Sequence, residues 1–170
     1  MLLNPRPERW SLPMTDNIEV IEMGIEASEL LSEMHVSSFA NLPEQVWSKN
    51  DFQEILSITG TKAQVICQSE IPFGFILLRE MANEVEIITF CILPKWCNKG
   101  YATFLLEWVI KKLQLQITKR LFLEVRANND AAIALYKKCS FKIIGRRKGY
   151  YNNHKSAKID ALVMQCDLIV

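Results

Sequence analysis

The chain has 170 residues, 49% of them hydrophobic, and a net charge of +1, which suits a single domain with its own core. No apolar run reaches the ~18 residues of a membrane span, and Met1 to Trp10 carries Pro5, Arg6, Pro7 and Arg9 where a secretory signal would be apolar, so the chain is expected in the cytoplasm without a membrane partner. Five scattered cysteines, none in a Cys-x-x-Cys pair, and two lone histidines, His35 and His154, argue against a disulfide framework, a metal site and a cysteine nucleophile.

Residues 1–17, with Pro5, Pro7 and Pro13, read as an N-terminal extension, and residues 18–170 as one domain. A strand is expected at about Ile18 to Glu22, then a helix over Ala27 to Phe39 with Leu30, Leu31 and Met34 at helical spacing. Leu42-Pro43 ends it. Ser48, with Asp51 three residues on, marks a capped helix start leading into Phe52, Ile55 and Leu56. Three strand-like runs follow, Lys62 to Gln68, Phe73 to Met81 and Val85 to Leu93, separated by Ser69 to Pro72 and by Ala82-Asn83; they read as a meander of hairpins.

Past Pro94 a short loop leads to a helix over Tyr101 to Leu115, with Leu105, Trp108, Val109 and Leu113 as its buried stripe. The first backbone N–H groups of a helix lack partners and point outward with the positive end of the helix dipole, so they can receive an anion. Gly100 lets the backbone approach such an anion, Ala102 keeps the next position small, and Lys99 adds a positive charge. One glycine before a helix is equally ordinary helix-start chemistry. Charge distribution favours the anion: residues 1–94 carry five Lys/Arg and fourteen Asp/Glu, whereas residues 95–170 carry fifteen and five.

The next strand, Arg120 to Arg126, returns parallel to the strand before the loop, completing a βαβ unit. Leu121, Leu123 and Val125 share one face, and Phe122, Glu124 and Arg126 the other. A carboxylate so flanked is either solvated at the sheet surface or held in a cleft. Asn129 is a good helix cap for Asp130 to Lys138, and on that helix Tyr136 follows Glu124 by twelve residues, as a core tyrosine or as an acid. Two strands close the chain, roughly Lys142 to Tyr151 and Ala157 to Ile169. The fold class is α/β, a mixed sheet flanked by helices.

Two segments together carry a resemblance: Cys97-Asn98-Lys99-Gly100-Tyr101-Ala102, and Leu123-Glu124-Val125-Arg126 followed by Asn129 to Tyr136. They resemble the GNAT superfamily of N-acetyltransferases, whose acetyl-CoA loop reads Gln/Arg-x-x-Gly-x-Gly/Ala. With Gly145 to Tyr151 and Asp160 to Met164 they are similar to the bacterial ribosomal-protein-alanine N-acetyltransferases (RimI type), over about residues 84–168.

The resemblance implies a mixed, mostly antiparallel sheet whose central parallel strand pair splays apart to admit acetyl-CoA as cosubstrate. It implies Glu124 as general base and Tyr136 as acid, the latter hydrogen-bonding the leaving thiolate. Cofactor contacts are expected from the backbone of Phe90, Cys91 and Ile92, from Asn98, Lys99, Gly100, Tyr101, Ala102 and Thr103, and from Asn129. Arg147, Tyr150, Tyr151 and Asp160 are expected at the acceptor entrance, with Asp160 pairing either a basic residue of the acceptor or Arg147. The implied acceptor is a protein N-terminus, the terminal alanine of a small-subunit ribosomal protein, with no direct nucleic-acid binding and a monomer or weak dimer in solution. Cys97 replaces the usual Gln or Arg and removes a side-chain donor but no backbone donor. Ile159 replaces an acidic residue of the closer relatives, which bears on acceptor choice. A lysine or small-molecule amine as acceptor, a non-catalytic CoA-binding module and a ribosome or nucleic-acid binder are the competing readings.

Overall fold

A computed structural model describes residues 17–40, 46–153 and 156–168. The expected extension, apart from Asn17, and the Leu42-Pro43 break lie outside the described residues.

Among the described residues, seven strands and four α-helices follow in chain order. They are β1 (Ile18–Met23), α1 (Ser28–Phe39), α2 (Lys49–Leu56), β2 (Thr61–Gln68), β3 (Ile71–Met81), β4 (Glu84–Ile92), α3 (Tyr101–Gln114), β5 (Arg120–Arg126), α4 (Asp130–Lys138), β6 (Lys142–Asn153) and β7 (Ser156–Asp167). The sheet order is β1-β2-β3-β4-β5-β7-β6. Every pairing is antiparallel except β4 with β5, the parallel pair that the α3 crossover requires. No described helix is long and apolar enough to cross a membrane.

The strands read as long apolar runs because helices cover both faces of the sheet. On one face Leu31 and Met34 of α1 and Phe52 and Leu56 of α2 pack on Val65, Phe75 and Leu77. On the other, Leu105, Leu106 and Val109 of α3 and Ile133 of α4 pack on Ile66, Ile76, Leu121 and Leu123. Local chemistry fixes the helix starts. Asp51 N–H donates to the Ser48 hydroxyl, and the Asp51 carboxylate accepts from Ser48 N–H at 2.7 Å, closing a capping box. Asn129 Oδ1 accepts from Ala132 N–H at 3.1 Å and caps α4.

Most boundaries shift by a residue or two, and the one at the start of β3 has a clear physical cause. Ile71 and Pro72 belong to β3, because the hairpin turn consists of Ser69 and Glu70 alone, both at positive φ (47° and 68°). That is the two-residue turn whose twist matches its flanking strands. Pro72 is tolerated there because it sits opposite Cys67, where the β2–β3 register shifts.

Candidate active site

The parallel pair parts in mid-sheet. β4 and β5 are paired only from Glu84↔Arg120 to Ile87↔Leu123. Beyond that point β4 continues along β3 as far as Ile92↔Gly74, while β5 continues along β7 as far as Arg126↔Ala161. The parting coincides with a bulge: Leu77 faces Thr89 and Leu78 faces Ile87, leaving Ile88 the extra residue. Gly74 permits the β3–β4 approach near the open end, since a Cβ there would lie 2.8 Å from Cys91 O and 2.5 Å from Ile92 Cδ1.

A cavity of about 340 Å³ occupies the fork. β4 contributes Ile87 to Phe90 and β5 Leu123 to Arg126; His35, Phe39 and Trp47 close it from the α1–α2 side, and Asn129, Ala132 and Tyr136 from the α4 side. It therefore passes through the sheet, with Glu124 and Tyr136 both in its wall.

Glu124 lies on the β5 face opposite the buried Leu123 and Val125, as the alternation requires. Its Oε1 accepts from Arg147 Nη1 at 2.6 Å, and that guanidinium stands 4.0 Å over the Tyr150 ring. Arg126 stands 4.4 Å over the Tyr151 ring. Tyr136 is buried against Phe141, with ring centroids 5.6 Å apart. Burial, reinforced by Tyr151 and Cys139, pushes its phenol above the ordinary value, so it stays protonated and can serve as a donor.

The loop before α3 forms a turn at one end of β4. Pro94–Trp96 makes a 3₁₀ turn, Asn98 and Gly100 both take positive φ (60° and 88°), and Gly100 caps α3. The Cys97 thiol lies within donating reach of Ile92 O at 3.4 Å and of Leu93 O at 3.6 Å, tying the loop back to the strand. Lys99 Nζ lies 5.4 Å over Trp96, which stacks on Phe73 at 4.3 Å. Tyr101 joins the same aromatic group, 4.9 Å from Phe73.

Of the expected site residues, the cavity gathers Phe90, Glu124, Asn129, Tyr136 and Tyr151. Asn98, Lys99, Gly100, Tyr101, Ala102 and Thr103 lie on the loop and first turn of α3, outside its wall. Cys91 and Ile92 point into the cores, and burial pushes the Cys91 thiol up to about 12, so only their backbones can face a ligand. Asp160 does not pair with Arg147. It accepts from Gly149 N–H at 2.8 Å and contacts Arg146 Nε at 3.4 Å. It thereby holds a β6 irregularity in which the five residues from Arg147 to Tyr151 lie opposite the three from Ala161 to Ile159.

Sequence reasoning missed His35, Phe39, Thr89 and Arg126 in the cavity wall. His35 stacks on Phe39 at 4.3 Å and on Trp47 at 5.5 Å, and its Nδ1 accepts from Trp47 N–H at 3.3 Å. Burial lowers its pKa from 6.5 to about 4, so it is neutral. The available signal was spacing: His35 and Phe39 stand four residues apart, on one helix face.

The profile of the acetyltransferase (GNAT) family matches residues 27–141. An N-alpha-acetyltransferase of Saccharolobus solfataricus is 34% identical over 95 residues, covering 54% of this chain and 57% of its own length. The [ribosomal protein bS18]-alanine N-acetyltransferase of Haemophilus influenzae is 33% identical over 95 residues, 56% of this chain and 64% of its own. For both, the match spans less than two thirds of the relative. The Escherichia coli protein of the latter name is 27% identical over 143 residues, 82% of this chain and 92% of its own. The crystal structure of the E. coli ribosomal-protein-alanine N-acetyltransferase superposes with a TM-score of 0.81 at 22% identity, covering 91% of this chain and 96% of that one. Arabidopsis thaliana NAA60 in complex with acetyl-CoA superposes with a TM-score of 0.72 at 20% identity, covering 89% and 98%. At these identities the superpositions speak for the fold.

Proposed function

This chain belongs to the acetyltransferase (GNAT) family, and from that premise we propose that it transfers the acetyl group of acetyl-CoA to the α-amine of a protein N-terminus in the cytoplasm. The acceptor we propose is the terminal alanine of a small-subunit ribosomal protein; the Haemophilus and Escherichia relatives carry the name [ribosomal protein bS18]-alanine N-acetyltransferase. The observation that carries the reading is the fork between β4 and β5, with a carboxylate and a protonated phenol in the wall of one cavity.

The chain's residues fit acetyl-CoA. Beyond Ile87 the edge of β4 turned toward β5 is released from strand pairing, so the backbone at Phe90 to Ile92 can pair with an amide-bearing arm as an added strand would. Gly100, at a φ of 88°, starts α3 with its first N–H groups available to a diphosphate. Bound there, acetyl-CoA supplies an activated acyl carbon and a thiolate leaving group.

An α-amine with a pKa near 8 is about one tenth neutral at pH 7, so Glu124 need only bias or relay a proton as the N–C bond forms. Tyr136 donates a hydrogen bond to the sulfur as the C–S bond breaks. A phenol held above its ordinary value cannot easily surrender its proton to a thiolate near 8.5, so hydrogen bonding is the role its burial favours. A backbone N–H of β4 near Phe90 takes the developing oxyanion. His35, Phe39 and Trp47 form the apolar wall on the acceptor side.

Thiol release from acetyl-CoA, with a peptide beginning in alanine against the same peptide blocked at its α-amine but carrying a free lysine, tests this directly. Turnover of the first alone is expected. Turnover of the second alone moves the acceptor to lysine, and turnover of neither removes the catalytic reading.

A further inference from the structure

The wall formed by His35, Phe39 and Trp47 carries one polar group that the fold leaves without a partner. His35 is only 3% exposed. Its ring is stacked on Phe39 at 4.3 Å and on Trp47 at 5.5 Å, with Phe52 set T-shaped to it at 5.7 Å, so three aromatic neighbours fix its plane. Nδ1 accepts from Trp47 N–H at 3.3 Å. Burial, which lowers the pKa to about 4, keeps the imidazole neutral. A neutral imidazole has one ring proton, and with Nδ1 an acceptor that proton sits on Nε2. Among the described residues Nε2 has no hydrogen-bond partner. Nor is it one of the unpartnered side-chain atoms sealed inside the protein, so its open surface is the cavity that His35 lines.

The layers of the fold decide what this donor can meet. Leu123 and Val125 of β5 face α3 and α4, so Glu124 faces the other way, toward α1, the helix that carries His35. An amine brought to Glu124 therefore lies on the His35 side of the cavity. Its nitrogen has no lone pair to spare for Nε2–H, because that pair forms the new N–C bond. A chain N-terminus also brings its first carbonyl oxygen, about 3 Å from its own α-nitrogen by standard bond lengths. A lysine ε-amine has only methylenes at that distance. It would displace water from Nε2–H and supply no acceptor, and a buried donor left so is costly.

We infer that His35 is an acceptor-binding residue: Nε2–H donates to the main-chain carbonyl of the acceptor's first residue, and so selects chain N-termini over lysine side chains. The inference rests on the N-terminal acetylation reading above and deepens it.

The test uses the full chain in two measurements. The sequence holds two histidines, His35 and His154, so imidazole nitrogen NMR is simple, and His154→Gln leaves the His35 signals alone. The free wild type is expected to show the Nε2-protonated tautomer. On saturation with CoA and the acetylated form of a peptide beginning in alanine, the Nε2 signal shifts and the Nδ1 signal stays. Thiol release from acetyl-CoA is then read with the unacetylated peptide and with one carrying a thioamide, a poorer hydrogen-bond acceptor, in place of its first amide. For the wild type the thioamide should raise KM about three- to tenfold. His35→Phe keeps the ring stack and removes the donor; it should raise KM for the ordinary peptide about five- to thirtyfold, leave kcat within about threefold and bring the two peptides within about twofold of each other. His35→Gln, which keeps an N–H, retains more of the discrimination than His35→Phe. A free ring protonated on Nδ1, an Nε2 signal unmoved by the peptide, a wild type indifferent to the thioamide, or a discrimination unchanged in His35→Phe overturns the inference while leaving acetylation standing. If His35→Phe does not fold, the wild-type spectra and the wild-type thioamide comparison decide. Turnover of neither peptide by a wild type that binds acetyl-CoA in calorimetry overturns the acetylation reading and this inference together.

Discussion

Glu124 and Tyr136 enter the cavity from different layers, one from a strand and one from a helix, so each can be removed without disturbing the other's support. Glu124→Gln keeps the shape and removes the proton acceptor, and kcat/KM for an alanine peptide is expected to fall about a hundredfold or more, the usual weight of a general base. Tyr136→Phe leaves the ring on Phe141 and removes the donor, with an expected loss of about tenfold to a hundredfold in kcat. In both variants acetyl-CoA affinity, measured by calorimetry, should stay within about threefold, since neither group is assigned to the cofactor's phosphates; a large loss of affinity would mean the residues hold the cofactor instead. His35 makes a different prediction. Its folded pKa, lowered to about 4 by burial, lies below the ordinary 6.5. The neutral ring therefore stabilises the fold fully above pH 6.5, and this contribution drains away as pH falls toward 4, by on the order of 3 kcal/mol at most. Urea unfolding at pH 7 and pH 4.5 should show His35→Phe losing less stability than the wild type across that window. Equal losses would mean the imidazole is solvated.

At the scale of elements, those fixed by local chemistry were readable from sequence. Ser48 and Asp51 announced the start of α2, and Asn129 that of α4; both caps are made as the side chains allow. The alternation in Arg120 to Arg126 put Glu124 on the correct face of β5 for the same reason, because strand periodicity is local. Pairings made across the sheet were not readable. Asp160 meets Arg146 and Gly149, and Arg147 meets Glu124, because the irregularity between Arg147 and Tyr151 re-aims β6. His35 looked isolated because Trp47, its partner, stands twelve residues on, outside α1. Two substitutions test the element-level account. Ser48→Ala should cost about 1 kcal/mol in urea unfolding, the value of a lost N-cap. Gly74→Ala should cost on the order of 1–3 kcal/mol, because the added methyl meets a fixed backbone oxygen on β4. A neutral Gly74→Ala would show that the β3–β4 approach beside the fork is loose.

Over the whole molecule, the acidic first half and basic second half meet at the fork: β1 to β4 belong to the first, while the α3 loop, α3, β5 and α4 belong to the second. A polyanionic ligand reaching the fork from the α3 side meets the basic half, so binding should weaken as salt is raised. A ligand that binds only the folded chain raises its stability by about 2.7 kcal/mol at a hundred times its Kd. Saturating acetyl-CoA should accordingly raise the melting temperature, less in 0.5 M salt than in 0.05 M; an unshifted melting temperature would mean the fork does not bind it. On the proposed reading the fork itself receives the thioester arm, with Glu124 on the acceptor side and Tyr136 near the sulfur. A crystal structure of the chain with CoA tests this most directly. The arm is expected between β4 and β5 beyond Ile87 and Leu123, the diphosphate on the backbone amides at Gly100 to Ala102, and the thiol within hydrogen-bond reach of the Tyr136 hydroxyl. CoA bound elsewhere on the chain, or a thiol far from Tyr136 with the fork left to side chains, would contradict it.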